Sequence, residues 1–96
     1  MDFDERVWNS IQIMKTQYNY TPTIFINMIN QYGAIEAVKK LINNPKPSSG
    51  YTKLWGLNAL NLSMEAIIQE EEWKCLFTDD ECLKAKKRLI EYGYEI

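Results

Sequence analysis

The sequence predicts an all-α fold, a compact bundle of about five to six short helices that forms a single domain over residues 1–96. Apolar residues recur about every three to four positions through most of the chain, which is the spacing of one helix face. No stretch sustains the period-two alternation of a half-buried strand. Prolines, glycines and capping residues divide the chain into short segments, so we expect short helices joined by tight turns.

The first helix is expected over about residues 2–18, ahead of a helical core over about residues 21–93. Asp2, Asp4 and Glu5 lie in its first turn, where the helix dipole stabilises negative charge. Its apolar residues share one stripe that should face the core: Phe3, Val7, Trp8, Ile11, Met14 and Tyr18.

Two further helices are predicted on either side of Gly33. Thr21 is the predicted N-cap of the second helix and Pro22 its first residue, where proline loses nothing by lacking an N–H. Gly33 stands where a left-handed residue ends this helix, so the second and third helices should form a compact hairpin or a helix-turn-helix corner. The predicted inward residues are Ile24, Phe25, Met28, Ile29 and Tyr32 in the second helix, and Ala34, Ile35, Val38, Leu41 and Ile42 in the third.

A proline-rich loop is predicted over residues 44–50, because two closely spaced prolines bar a helix. A short helix over residues 51–60 should follow. Ser63 is the predicted N-cap of another helix that reaches about Gln69, with the glutamates at 70–72 as its solvated end. Apolar residues then return to the core: Trp73, Leu76 and Phe77.

The clearest local signal is a capping box of Thr78 and Glu81, in which each side chain satisfies the other residue's backbone N–H. It opens a last helix that should run through Tyr92 and stop at Gly93. Lys86 falls inside the apolar arc of this helix, so we expect it to bury its aliphatic stem and extend its ammonium group to solvent. The predicted inward residues are Cys82, Leu83, Ala85, Leu89, Ile90 and Tyr92.

Composition excludes several classes of function. The chain has no histidine, the side chain that most often serves as a general acid or base near neutral pH. Cys75 and Cys82 are the two cysteines, too few to close a tetrahedral zinc site, and we expect both to be small buried hydrophobic residues. We therefore predict no enzyme activity, no catalytic residue, no metal and no cofactor.

Charge and hydropathy predict a cytoplasmic protein that does not associate with a membrane. The formal net charge of −2 provides no overall attraction to nucleic acid or anionic lipid. The apolar runs are shorter than the roughly 18 residues that a membrane span requires. The acidic start of the chain, MDFDERVW, is unlike a secretory signal or a transit peptide.

Tyr51 and Trp55 lie about one helical turn apart after the proline-rich loop, and they are the predicted centre of a protein-binding surface. Lys46, Ser49 and Lys53 would surround the two rings with polar groups, as at the rim of a protein interface. The alternative for Trp55 is that its ring fills the core. The residues alone leave both interpretations open.

A basic surface provides the alternative function, which is nucleic-acid binding. Lys84, Lys87 and Arg88 should lie together on the outer face of the last helix, and Lys39 and Lys40 belong to the third helix. Phosphate contacts from such residues would make binding steeply salt-dependent. The plainer interpretation is a solvated helix face. The third helix also lacks side chains suited to reading base edges in its first turns.

Several short motifs follow one another along the chain: Tyr20-x-Pro22-Thr23-x-Phe25-x-x-Met28, Gly33 with Ala37 and Leu41, Ser49-Gly50-Tyr51-x-x-Leu54-Trp55, Leu60-x-Leu62-Ser63-x-Glu65, Leu76-Phe77-Thr78-x-x-Glu81 and Tyr92-Gly93-Tyr94. With these motifs the chain resembles a group of small bacterial proteins, or modules of larger ones, that have no characterised activity. The resemblance covers about residues 18–94 and implies a common helical fold without any catalytic residue. The first helix lies outside it.

The expected function is a non-enzymatic helical module that binds another protein, through a surface around Tyr51 to Trp55 or through the exposed parts of the first helix. An accessory, regulatory or defence-related role in a bacterium or its phage would suit so small a chain, by analogy of fold. A homodimer is a further expectation, because a small domain rich in aromatic residues often completes its core across a two-fold axis.

Overall fold

Helices make up all the regular structure in the computed structural model, which describes residues 1–95, so the all-helical prediction is confirmed for this part of the chain. The Cα radius of gyration is 12.2 Å, close to the roughly 12.5 Å expected of one compact domain of this length. The helices are α1 (Phe3–Tyr18), α2 (Thr23–Tyr32), α3 (Ala34–Asn43), α4 (Ser49–Gly56), α5 (Met64–Ile67), α6 (Glu71–Lys74) and α7 (Asp79–Glu91), with a 3₁₀ turn at Leu60–Leu62.

Helix α1 begins at Phe3 because Asp2 and Glu5 form a capping box. The Asp2 carboxylate accepts from the backbone N–H of Glu5 at 2.8 Å, and the Glu5 carboxylate accepts from the backbone N–H of Asp2 at 3.1 Å. The predicted stripe is buried at four positions: Phe3, Val7, Ile11 and Met14.

The predicted face of α1 is wrong at Trp8, which is 37% exposed. Ser10 is fully buried instead, and its hydroxyl donates to the carbonyl of Leu62 at 2.7 Å. The 3₁₀ turn therefore presents a backbone acceptor to α1, and the Ser10 hydroxyl satisfies this acceptor.

Gly33 has a positive φ of 84° and joins α2 to α3, as predicted. The prediction for the start of α2 is wrong, because Pro22 is the N-cap and Thr21 precedes it. Three residues predicted to be buried are exposed, since the core covers only one side of the α2–α3 hairpin. They are Ile24, Tyr32 and Ile35, at 70%, 45% and 39% exposure.

Helix α4 occupies Ser49–Gly56, so it starts and ends earlier than the predicted 51–60 and takes in the end of the predicted loop. The Ser48 hydroxyl is the reason for the early start, because it accepts from the backbone N–H of Tyr51 at 3.1 Å and caps the helix. Asn58, with φ of +57°, separates the end of α4 from the 3₁₀ turn.

The segment after Ser63 forms two single-turn helices, which is why the described chain has seven helices where about five to six were predicted. Ser63 caps α5 as predicted, accepting from the backbone N–H of Ala66 at 3.2 Å. Glu70 is not a solvated end: it is the N-cap residue of α6 and forms an ion pair with Arg6 at 2.9 Å. Apolar residues follow it into the core as predicted, Trp73 and Phe77 buried and Leu76 half-buried.

The cysteine prediction is wrong at Cys75, which is exposed, and Cys82 is half-buried. Cys75 directly follows the single turn of α6, whose inward position is already filled by Trp73. The ring of Phe3 packs edge-on against that indole, with 5.7 Å between ring centroids. Across residues 1–95, no helix combines the length and the apolar content that a bilayer crossing requires.

The capping box of Thr78 and Glu81 opens α7 as predicted, with backbone-to-side-chain distances of 2.9 and 3.0 Å. The helix ends at Glu91, with Tyr92 as C-cap and a positive φ of 81° at Gly93.

The predicted inward face of α7 is partly wrong. Leu83 and Ile90 are 50% and 57% exposed, whereas Glu81 and Arg88 are buried beside Ala85 and Leu89. The helix is therefore rotated about its axis relative to the predicted orientation, and these two charged residues contact partners on other helices. Lys86 is exposed, on the same side of α7 as Leu83 and Ile90.

Candidate functional site

The structure separates the two aromatic residues that were predicted to form an exposed ridge on α4. Tyr51 is only 2% exposed, so its assignment to a surface is wrong, whereas Trp55 is 51% exposed and does not fill the core. About 100° of helix rotation per residue places Tyr51 on the inward face with Leu54 and leaves Trp55 at the edge of that face. A helix this short buries one narrow stripe.

Trp55 is exposed but held in place. Its indole Nε1 donates to the backbone carbonyl of Tyr92 at 3.1 Å. Its ring also packs edge-on against the Tyr92 ring, with 5.4 Å between centroids. Tyr51 contacts the same ring from the interior at 5.1 Å. Tyr92 therefore lies between a buried and an exposed aromatic ring and fixes the orientation of both.

The polar residues predicted around this ring are at the surface. Lys46, Ser49 and Lys53 are all exposed, as expected. A shallow hollow of about 460 Å³ runs along the outer side of α4, and it is lined by Ser49, Thr52, Lys53, Gly56 and Leu57. We call Trp55 together with the residues of this hollow the α4 surface.

The chain around the α4 surface is locally basic although the whole chain is acidic. Residues 37–64 contain four lysines and no aspartate or glutamate. Two of these lysines, Lys46 and Lys53, belong to the predicted polar rim. Lys53 lines the hollow of the α4 surface, where it would attract an acidic partner segment.

The predicted basic surface does not form as one patch. Lys39 donates to Glu81 at 2.8 Å, and its ammonium lies 5.3 Å from the centre of the Phe77 ring. The ammonium group of Lys40 lies over the ring of Tyr32 at 4.6 Å. Both lysines of the third helix therefore already have partners within the protein.

On α7, the prediction that Arg88 faces solvent is wrong. It is 9% exposed and donates to the Glu65 carboxylate at 3.0 Å, with further bonds to the backbone carbonyls of Leu41 at 3.3 Å and Asn44 at 2.7 Å. A buried guanidinium ties α5, α3 and the following loop together.

The other two predicted basic residues of α7 differ from each other. Lys84 pairs with Asp80 at 3.1 Å and donates to Asn43 Oδ1 at 3.1 Å. Lys87 is exposed and forms no ion pair with residues 1–95. Of the five predicted phosphate-binding residues, Lys87 thus has the freest charge.

Glu65 is a functional candidate that the sequence argument missed. It is 2% exposed, and burial raises the pKa of its carboxyl group above the ordinary value despite the hydrogen bond from Arg88. The signal was present, because Glu65 is the one charged residue in the apolar run from Leu60 to Ile68. Its arginine partner lies 23 positions away, so spacing could not identify the pair.

The described residues contain no group of three or more Cys, Asp or Glu side chains that could hold a metal ion. Neither a protein-family model, nor a curated protein, nor a solved structure matches this chain. The function must therefore be argued from the arrangement of the residues themselves.

Proposed function

We propose that this chain is a non-enzymatic module that binds another protein through the α4 surface, with Trp55 as the central contact. The observation that supports this most directly is the combination of exposure and order at Trp55. Half of the side chain is open to solvent, yet a hydrogen bond and an aromatic contact hold it on Tyr92. Tryptophan is enriched among residues that dominate binding energy, and a preoriented side chain loses little entropy on binding.

The local charge indicates the chemistry of the partner. With Lys53 in the hollow and no acidic residue over 37–64, an acidic segment that also carries an apolar side chain would complement the α4 surface. An accessory, regulatory or defence-related role in the cytoplasm of a bacterium or during phage infection remains part of this proposal, as does a second copy of the chain as partner.

Nucleic-acid binding is the less supported alternative. Arg88, Lys39 and Lys84 each have a carboxylate partner within 3.1 Å, so phosphate contacts would have to displace these ion pairs. Lys40 already lies over the Tyr32 ring, which leaves Lys87 as the predicted basic residue best able to contact a phosphate group.

Position-specific crosslinking in the native host would test the proposal. A photoreactive phenylalanine derivative replaces Trp55 in one variant and Trp8, 37% exposed on α1, in the other. We expect one discrete crosslinked species from position 55 and none from position 8. A species of twice the chain mass would identify a second copy, and mass spectrometry would identify any other protein. Equal products from both positions, or nucleic acid at position 55, would contradict the proposal.

The identified partner can then be titrated against purified variants. Trp55→Ala should weaken binding about 30-fold or more, as at central interface residues, and Trp8→Ala should have little effect. Lys53→Glu should slow association in a salt-dependent way if the partner is acidic, whereas Lys15→Glu on α1 is the matched control. Tyr51→Ala is unsuitable as a surface test, because this residue is buried.

A further inference from the structure

A small cavity of about 40 Å³ lies beneath α4, between this helix, α5 and the turn that joins α1 to α2. A water molecule needs roughly 10–15 Å³ of such space, so the cavity has room for a small chemical group. The wall of the cavity is mainly apolar. Its apolar lining residues include Met14, Phe25 and Met64, and its polar lining residues include Tyr51, Ser63 and Glu65.

The cavity adjoins a larger hollow of about 250 Å³, and both spaces are partly open to solvent. The outer walls of this hollow include Ile24 and Met28, which are apolar. Because the two spaces share part of their lining, they are adjacent, and we define the path as these two spaces taken together. They share six lining residues: Tyr20, Pro22, Phe25, Leu41, Ser48 and Gly50.

The Tyr51 side chain is buried at the inner end of this path with an unsatisfied hydroxyl group. It is the one buried side-chain polar atom in residues 1–95 that has no hydrogen-bond partner. A buried polar group without a partner is costly and uncommon in folded proteins. The pKa of Tyr51 is raised well above its ordinary value. Burial is the largest cause, and the negative charge of Glu65 is the second. The hydroxyl consequently stays protonated and can donate a hydrogen bond.

The charges at the inner end favour an uncharged group. Glu65 would repel a carboxylate, and its partner Arg88 would repel an ammonium group, so the buried pair is neutral as a whole. Arg88 binds Oε2 of Glu65, which leaves Oε1 outside that bond. An alcohol suits this environment, because its oxygen can accept from Tyr51 and its hydrogen can be donated to a carboxylate.

We propose that this path is a binding site for a small uncharged molecule with an apolar body and one hydroxyl group, which would take Tyr51 as its hydrogen-bond donor. The hydroxyl group of the ligand would enter the inner cavity, and the apolar body would occupy the outer hollow. This site is separate from the α4 surface, although both depend on α4.

Gly50 lines both spaces. A Cβ atom at this position would lie 3.1 Å from the Tyr20 hydroxyl and 3.8 Å from the Ser48 hydroxyl. A methyl group would therefore narrow the path. Gly56, in the same helix, has nothing within 4 Å of its Cβ position, so an alanine there adds the same methyl group without touching the path.

NMR titration with benzyl alcohol, and with toluene as the analogue that lacks the hydroxyl, tests the proposal. We expect benzyl alcohol to cause saturable shifts confined to the lining residues, and toluene to bind the wild type no more tightly than benzyl alcohol. In Tyr51→Phe the preference for benzyl alcohol over toluene should fall about threefold to tenfold, the range of one neutral hydrogen bond. Tyr32→Phe, at an exposed tyrosine, should leave the preference unchanged.

The glycine pair tests the location. Gly50→Ala should weaken both probes at least about threefold, whereas Gly56→Ala should not, and the two variants should keep wild-type spectra away from the site. The proposal is overturned if neither probe gives saturable, localised shifts, if Tyr51→Phe leaves the preference intact, or if both glycine variants behave alike. The comparison of the two probes on the wild type needs no variant to fold.

Discussion

Two buried glutamates, Glu81 and Glu65, form hydrogen bonds at opposite ends of α7, and they differ in their hydrogen-bond donors. At the first turn, the Glu81 carboxylate accepts from Lys39 at 2.8 Å, from Asn43 at 2.7 Å and from the backbone N–H of Thr78 at 2.9 Å. At the last turn, Arg88 donates to the Glu65 carboxylate at 3.0 Å.

The pKa values of the two carboxyl groups shift in opposite directions although both groups are buried. Burial alone would raise the pKa of Glu81, but its hydrogen bonds lower it to about 2. For Glu65, burial outweighs the hydrogen bonds from Arg88 and from its own backbone, and the pKa is raised. The depth of burial and the number of hydrogen-bond donors therefore act together, since Glu65 is the more deeply buried of the two. The Glu81 end joins α3 firmly to α7, whereas the Glu65 end keeps polar groups beside a cavity, and a ligand is expected at the less satisfied end.

The largest effect on the free energy of unfolding is expected when the ion pair between Glu65 and Arg88 is removed. Arg88→Met leaves a buried carboxylate without its cation, and it should lower the free energy of unfolding by about 3–5 kcal/mol in urea denaturation. Lys87→Met, at the exposed neighbour, should change it by less than about 0.5 kcal/mol.

The double variant Glu65→Leu, Arg88→Met should be more stable than Arg88→Met alone, because no charge is then left buried. A double variant no more stable than Arg88→Met would show that packing of the arginine stem, and not the ion pair, holds this end together.

The Glu81 end should be sensitive to acid. The folded-state pKa of Glu81 is depressed from 4.5 to about 2, so the unfolded chain binds more protons between these values. The stabilisation, about 3 kcal/mol, is present above pH 4.5 and is lost as the pH falls towards 2. Glu81→Gln should abolish this part of the pH dependence, measured by urea denaturation at pH 5, 3.5 and 2.

Glu65→Gln is the matched variant for the acid experiment, with the opposite sign. Because the folded-state pKa of Glu65 is raised, the wild type should gain stability relative to Glu65→Gln as the pH falls towards 4.5. If both variants shifted the curve in the same direction, the contrast between the two ends of α7 would be wrong.

The smallest effect concerns the unsatisfied hydroxyl. Tyr51→Phe removes a buried polar atom that has no partner in residues 1–95, so the free energy of unfolding should rise by about 1 kcal/mol. Tyr32→Phe, at an exposed ring, should be neutral within about 0.5 kcal/mol. A loss of stability in Tyr51→Phe would mean that the hydroxyl is satisfied in solution.

The candidate surface was predictable in part. Lys46, Ser49 and Lys53 are exposed as the local pattern indicated, because a short helix after a polar loop turns most of its residues outward. The sequence left open whether Trp55 fills the core or lies at the surface. Tyr51 could not be placed correctly, since its burial depends on packing against Tyr92 and on the cavity beneath α4, which are formed by segments distant in the chain.

The sequence by itself determined the helical class and several helix ends, including those at Thr78, Ser63 and Gly33. These features depend on backbone groups within three or four residues, so the residue types at fixed spacings are sufficient.

Only the tertiary structure decided which polar and charged residues are buried, and with them the inward side of α7. Arg88 is buried where it donates a hydrogen bond to Glu65 on another helix. Ser10 is buried where its hydroxyl donates to the backbone carbonyl of Leu62. On α7 the apolar residues Leu83 and Ile90 are exposed, whereas charged residues are buried. A buried polar group is stable only beside a specific partner, and that partner is supplied by the fold rather than by the neighbouring residues.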